Sequence, residues 1–382
     1  MINVERLTEK DYDEVLQVLN RSFTTPTHIA DFEKHLPIMW SREHDYMQKH
    51  FGVREDGKLI AVIGVYALPV NIAGHELVFS TVGNVGTLQE ARGKGCMKAM
   101  MDAAMQELER IGADASRLGG LRSRYNRFGY DHAGATYHFE LTRRNVNENP
   151  AAEVYTFREI TQDDHDGVAF ARSCQQRSGI YALRQTHLDF YMSMRAWEHK
   201  PYLALNAKGE PVGYVCAAAD GKAIAEQGAK EGVSAVDVLA SWLLHADVPQ
   251  VRFQLSPTDE AVQAAFAICE EWNVEPASMF KIIHWDRVTE ALLDLACLKR
   301  KLPEGTAAVA IKGWGTLEMT VKDQKASVHR TEAPAEIILD HRSATQFLFG
   351  PIIPSALACI PQNSLLNAWL PLPLSWNGQD RV

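Results

Sequence analysis

The sequence predicts a mixed α/β protein: two related α/β units in tandem, followed by a compact α+β domain. Three observations carry this. With 382 residues and about 150 residues per domain, the chain holds two to three domains, each large enough to bury its own core. A helix, turn and strand pattern in the first third recurs one domain length later. Beyond residue 287 the pattern changes to a helix, three alternating segments and a second helix. The expected division is 1–145, 153–287 and 288–382.

The first unit opens at Thr8-Glu9-Lys10-Asp11, an N-cap with an acid at the third helical position, ahead of the apolar spacing Val15, Leu19, Phe23. A turn, Glu55-Asp56-Gly57-Lys58, leads into a strand over 59–63. The second unit repeats both features in order. Thr161-Gln162-Asp163-Asp164 follows 153 residues on, and Ala207-Lys208-Gly209-Glu210 stands 152 residues on, before a strand over 212–215. Agreement in type, order and offset marks the two units as related. Between them 143–150 is polar with little to bury, and reads as a linker. In the third unit a helix over 289–298 precedes strands over 307–311, 317–321 and 326–330 and a helix near 343–349. The run 369–376 holds two prolines and two tryptophans, so it is no regular helix, yet it has apolar area to bury and should dock.

Composition narrows the function. Hydrophobic residues at 46% and charged residues at 23% exclude a disordered or fibrous chain. The formal charge is −9, from 39 Lys and Arg against 48 Asp and Glu, which argues against nucleic acid and favours a cationic small molecule. The longest apolar stretch, 59–70, is interrupted by Gly64 and Pro69 and falls short of the roughly 20 residues of a membrane span. No secretory signal is visible at the first residues, and six cysteines without CxxC spacing fit a reducing cytoplasm. The histidines form no HExxH or other ligand spacing, so no metal is expected.

Residues 77–111 carry the chemistry. A strand over 77–88, with glycines at a bend, runs into Gln89-Glu90-Ala91-Arg92-Gly93-Lys94-Gly95-Cys96-Met97. Met97, Met101, Ala104, Leu108 and Ile111 then recur at helical spacing. A glycine-rich turn between strand and helix exposes backbone N–H groups at a helix N-terminus, where dipole and unpaired donors favour an anion. Arg92 and Lys94 add positive charge within an acidic chain, which points to a polyphosphate. A Walker A loop would need Gly at 88 and Ser or Thr at 95, where the chain has Leu88 and Gly95. A dinucleotide fingerprint would need a glycine at the position of Lys98. The second unit has no such turn, and 226–232 carries acids where an anion would sit, so it is expected to bind no coenzyme.

What remains, Arg92-Gly93-Lys94-Gly95 after a strand, resembles the pyrophosphate loop of the GNAT acetyltransferases. Downstream, Arg124-Tyr125-Asn126-Arg127-Phe128-Gly129-Tyr130-Asp131 is similar to the Tyr-x-Arg-Phe-Gly-Tyr segment of the enhanced intracellular survival (Eis) branch of that family. The resemblance implies two tandem GNAT-like domains, the first catalytic and the second degenerate, and a sterol-carrier-protein-like third; its specific motifs cover only 77–134. Met97 departs from the Gly or Ala usual at its place in the loop. The family further implies acetyl-CoA as cosubstrate, a primary amine as acceptor, and a homo-oligomer, commonly a hexamer. By the same resemblance Val85, Gly86 and Thr87 would lie along the pantetheine arm, with an amide near the thioester oxygen. Arg92, Gly93, Lys94, Gly95, Cys96 and Met97 would hold the pyrophosphate. Tyr125 would protonate the departing thiolate, and the terminal carboxylate of Val382, in a family whose chain ends are often aromatic, would be the base.

Each role has a plainer alternative. Tyr125 by itself reads as a core aromatic against Phe128, although a phenol with a pKa near ~10 is protonated at neutral pH, as a general acid must be. Cys96 is an activated thiolate at a helix start or a small residue beneath the pyrophosphate. Val382 is a base or a frayed end. Two other functions fit the same fold: an acyl-CoA sensor without turnover, and a lipid carrier through the third domain. The carrier needs an apolar cavity that a docked 369–382 segment would fill.

Overall fold

The computed structural model describes residues 2–27, 29–40 and 46–381; Val382, the expected base, lies outside the described residues. The first stretch runs β1 (Glu5–Arg6), α1 (Tyr12–Phe23), α2 (Phe32–His35), β2 (His50–Glu55), β3 (Lys58–Ile72), β4 (His75–Thr87), α3 (Cys96–Arg110), β5 (Ala115–Leu118), α4 (Arg122–Tyr125) and β6 (Asp131–Ala133). The middle stretch runs β7 (Thr136–Thr142), α5 (Arg143–Glu148), β8 (Thr156–Glu159), α6 (His165–Gln175), β9 (Ile180–Ala182), α7 (His187–Met194), β10 (Lys200–Leu205), β11 (Pro211–Ala217), β12 (Ala223–Ala229), α8 (Ala235–His245), β13 (Gln250–Leu255), α9 (Val262–Ile268) and β14 (Glu271–Glu275). The last comprises β15 (Ser278–Ile282), α10 (Trp285–Lys299), β16 (Gly305–Ile311), β17 (Gly315–Lys322), β18 (Lys325–Thr331), β19 (Ile337–Leu339), α11 (His341–Phe349) and α12 (Leu366–Trp369).

These strands form three sheets. The first has the order β1-β2-β3-β4-β5-β15-β6, with β9 beside β3; the second is β14-β7-β13-β12-β11-β10-β8; the third is β18-β17-β16-β19. Strand β3 is apolar and buried through Leu59–Val65 because α1 and α3 both pack on it, so its side chains find cover on either face. Among the described residues, no helix is long and apolar enough to cross a membrane.

Sheet membership does not follow the linear division. β7, within 1–145, pairs with β13 and β14 in the second sheet, whereas β15, within 153–287, pairs with β5 and β6 in the first. The chain crosses over at Gly134, whose φ is +69° and where a β-carbon would stand 2.8 Å from both Ala277 Cβ and the Leu374 carbonyl oxygen. Outgoing strand, returning strand and terminal segment meet there, and only glycine fits. Two local expectations also change. The polar run expected to be a linker is the helix α5: the Thr142 hydroxyl accepts from the Asn145 amide at 3.2 Å, and Asn145 Oδ1 accepts from the Thr142 amide at 2.9 Å. Helix α6 begins one turn beyond the expected Thr161 cap, because Asp164 accepts the Gly167 amide at 3.0 Å.

The terminal segment is docked. Trp369, Leu370, Leu372, Leu374 and Trp376 are buried in a core shared by the third domain and one face of the first sheet, together with Phe79, Trp285 and Phe347. Burial of each leucine contributes about 1.5–3 kcal/mol. Trp376 stacks on Phe79 with ring centroids 5.9 Å apart. Further on, Gln379 donates to the Met194 carbonyl at 2.8 Å, and buried Arg184 holds Asp380 at 3.0 Å and Glu226 at 2.6 Å.

Candidate active site

The site begins as a fault in a ladder. β3 and β4 pair regularly up to Gly64↔Gly83 and resume at Val62↔Gly86, so β4 carries one extra residue and Asn84 and Val85 fall out of register. Asn84 takes the left-handed conformation, with φ +52°. On the other edge, the parallel pairing of β4 with β5 ends at Val82↔Leu118. The two strands diverge beyond that point, and between them opens a cleft of about 790 Å³, within the range of cofactor-sized pockets.

One wall is the glycine-rich loop. Gly93 and Gly95 adopt φ of +81° and +89°, a turn open to them without strain. The first helical hydrogen bond of α3 runs from the Ala99 amide to the Gly95 carbonyl at 3.2 Å, so the amides just before it have no helical acceptor. Arg92, Arg124 and Arg127 line the cleft together with Lys98, which is paired with Asp102 at 2.7 Å, and no carboxylate is among the described lining residues. In a chain of net charge −9, this is a local reversal suited to an anion. Arg124 and Arg127 were not singled out in the sequence for this role, although three arginines crowd 122–127.

The expected site residues divide. Val85, Thr87, Arg92, Gly93, Gly95, Cys96 and Met97 line the cleft. Gly86 lies under α1, where a β-carbon would meet Leu19 Cδ2 at 3.1 Å and Ser22 Oγ at 3.3 Å. Lys94 points elsewhere: its Nζ donates to both carboxylate oxygens of Glu55 at 2.7 Å. Cys96 is buried, and burial pushes its thiol pKa up, which favours the small-residue reading over a thiolate.

Tyr125 closes α4 on the opposite wall. It is only 4% exposed, packs with the core of the first domain and also lines the cleft. The core and cleft readings of this side chain are therefore both satisfied. Burial raises its phenol pKa, with Arg124 opposing, so the hydroxyl keeps its proton well beyond neutral pH.

Behind the bulge lies a buried network that the sequence did not reveal. Asn84 Nδ2 donates to the Tyr66 hydroxyl at 2.5 Å, and that hydroxyl lies 2.6 Å from His50 Nε2. His50 Nδ1 lies 3.0 Å from the Tyr46 carbonyl, which can only accept, so Nδ1 carries the proton and Nε2 accepts from Tyr66. His50 is fully buried and its pKa is pushed down to about 4, chiefly by burial. The neutral ring props Tyr66, and Tyr66 props the bulge.

Bulged strand, diverging neighbour and amide-rich helix start coincide with a sequence match: residues 3–133 fit the acetyltransferase (GNAT) domain family. Residues 3–133 form a GNAT acetyltransferase domain. The likeness of fold extends beyond it. A probable N-acyltransferase from Enterococcus faecalis superposes with a TM-score of 0.70 at 16% identity, over 98% of this chain and 97% of that one. A GCN5-related N-acetyltransferase from Kribbella flavida gives 0.69 at 17% identity, over 97% and 95%. Eis1 from Mycobacterium abscessus gives 0.64 at 14% identity, over 98% and 99%. The chain thus shares a whole-length mixed α/β fold with GNAT proteins, Eis1 among them. A comparison with curated protein sequences returns no match.

Proposed function

We propose that this chain moves the acetyl group of acetyl-CoA directly to a primary amine. The observation that carries the reading is a single cleft that joins a cationic, amide-rich helix start to a buried, protonated phenol. Bound there, acetyl-CoA supplies a thioester whose carbonyl carbon is open to an amine. The loop amides with Arg92 hold the pyrophosphate. The amides freed from the ladder at Asn84 and Val85 are donors for a carbonyl oxygen gaining negative charge. Tyr125 Oη holds the proton that the thiolate needs on departure. The carboxylate of Val382 is the proposed base, supported by the anchoring of Gln379 and Asp380 just before it. A homo-oligomer belongs to the same proposal, and sedimentation at micromolar concentration tests it.

The test is acetyl-CoA with a panel of primary amines, followed by thiol release. Turnover with at least one amine supports acetyl transfer. Tight acetyl-CoA binding without turnover on any amine would favour the sensor instead.

A further inference from the structure

A second cavity, of about 830 Å³, opens where β5 meets the second sheet and the terminal segment; Arg117, His138, Trp197, His199, Arg252 and Arg381 are among its lining residues. Arg117 lies on β5 and is 5% exposed. Its Nε donates to Ser278 Oγ at 2.9 Å, but its Nη1 is buried without a hydrogen-bond partner among the described residues. Arg381 Nε, facing the same cavity, is likewise buried and unpartnered. Leaving such a donor unpaired costs about 1–3 kcal/mol, and more when the group is charged. Burial, with Arg381 close by and Asp380 opposing, pushes Arg117 down to about 9.

The nearby acids are engaged elsewhere. Asp380 is gripped by Arg184, which also holds Glu226. Glu140 takes Arg252 at 2.8 Å, Glu275 is exposed and reaches His138 at 3.5 Å, and Glu271 is exposed at the rim. Asp380 and Glu275 act on Arg117 and Arg381 only through space, so among the described residues neither guanidinium group is ion-paired, although Glu140 and Glu271 line the same cavity. Arg117 also stands at the wall between the two cavities: a β-carbon on Gly119 would lie 3.5 Å from Arg117 Nη2, and Gly119 lines the cleft that holds Tyr125.

We propose that Arg117 and Arg381 form an anion subsite for the acceptor, which is a primary amine that also carries a carboxylate and enters through the second cavity. This rests on the acetyl-transfer reading above. A carboxylate accepts charge-assisted hydrogen bonds from both guanidinium groups and satisfies the two orphaned donors at once. The exposed rings of Trp197 and Trp272 in the same cavity offer apolar faces to the body of the molecule.

The experiment compares matched amines with and without the carboxylate: L-lysine against cadaverine, and L-tyrosine against tyramine. Thiol release is measured for the wild type, Arg117→Met and Arg381→Met, each checked by thermal melt. The wild type should favour the carboxylate-bearing member by about tenfold or more in kcat/KM. In either variant that ratio should collapse towards one through KM, with acetyl-CoA affinity retained. Should Arg117→Met not fold, Arg381→Met carries the same comparison. Equal kcat/KM within each pair for the wild type, or an unchanged ratio in the folded variants, overturns the subsite. Calorimetric titration with L-lysine in the absence of acetyl-CoA separates the two readings. Binding that the variants lose, without thiol release from any amine, keeps the subsite and sinks acetyl transfer; neither binding nor turnover sinks the subsite as well.

Discussion

The ring of Tyr125 lies so close over Gly120 that a β-carbon on Gly120 would stand 3.1 Å from Tyr125 Cε2. Gly120 also has φ +119°, a conformation that L side chains rarely adopt. The phenol is thus positioned by an absence of side chain beneath it. Gly120→Ala should lower the melting temperature and cut turnover by about tenfold or more, since both backbone and ring must shift. Wild-type turnover in this variant would show that the ring has room to spare.

Tyr125→Phe keeps the packing and removes only the hydroxyl. Turnover should fall by about a hundredfold, within the usual reach of general acid catalysis, while acetyl-CoA affinity stays put. Because burial raises the phenol pKa, the wild-type kcat should show no decline from Tyr125 ionisation up to about pH 10. A matching loss of affinity and turnover would assign the side chain to the core alone.

Arg92 and Lys94 should separate, because only Arg92 lines the cleft while Lys94 is neutralised by Glu55. Arg92→Ala is expected to weaken acetyl-CoA about tenfold, or about 1.4 kcal/mol, and Lys94→Ala by less than about threefold. Calorimetry reads both. Equal losses would mean that Lys94 leaves Glu55 when the coenzyme binds.

His50 makes stability depend on pH. Its folded pKa of about 4 lies below the roughly 6.5 of a free imidazole, so the unfolded chain takes up the proton first as pH falls. The stability tied to the neutral ring is complete above about pH 6.5 and is lost progressively down to about pH 4, a total of roughly 3 kcal/mol. Thermal melts across that window should show the slope, and His50→Gln, which cannot protonate, should flatten it. A slope that survives the substitution would locate the acid sensitivity in another group.

Residues added after Val382 would shift the proposed base without touching the anchors at Trp376, Gln379 and Asp380. Such an extension should remove most turnover and leave the melt unchanged, whereas an N-terminal tag should do neither. Equal turnover from the two tagged forms would take Val382 out of the mechanism.

Much of this was legible in the chain itself. The strand, loop and helix of the cleft appear as β4 and α3 where glycine spacing and 3.6-residue periodicity put them, and β16, β17, β18 and α10 follow the alternation in the third unit. Those signals are local. Partner choice is not, and nothing local in 136–142 or 278–282 places β7 in the second sheet or β15 in the first. The ion pair of Lys94 with Glu55 spans 39 residues, and nothing near Lys94 announces it. Arg117 is a charge on a short strand, and such a residue ordinarily faces water; its burial depends on the terminal segment that packs over it. No local signal marks Asn84, because its left-handed backbone belongs to the register shift between β4 and β3.

The slot between β5 and β6 also sets a timetable for synthesis. When the ribosome has made residues 3–133, the whole span matched to the acetyltransferase family, β15 does not yet exist. Another 149 residues, from 133 to 282, must follow before β15 can take its place between β5 and β6. At about 5–20 residues per second that takes roughly 7–30 s. Throughout that interval β5 and β6 present bare edges to every other nascent chain and chaperone nearby. A chain that stops before residue 278 keeps those edges bare, and unpaired strand edges are templates for aggregation.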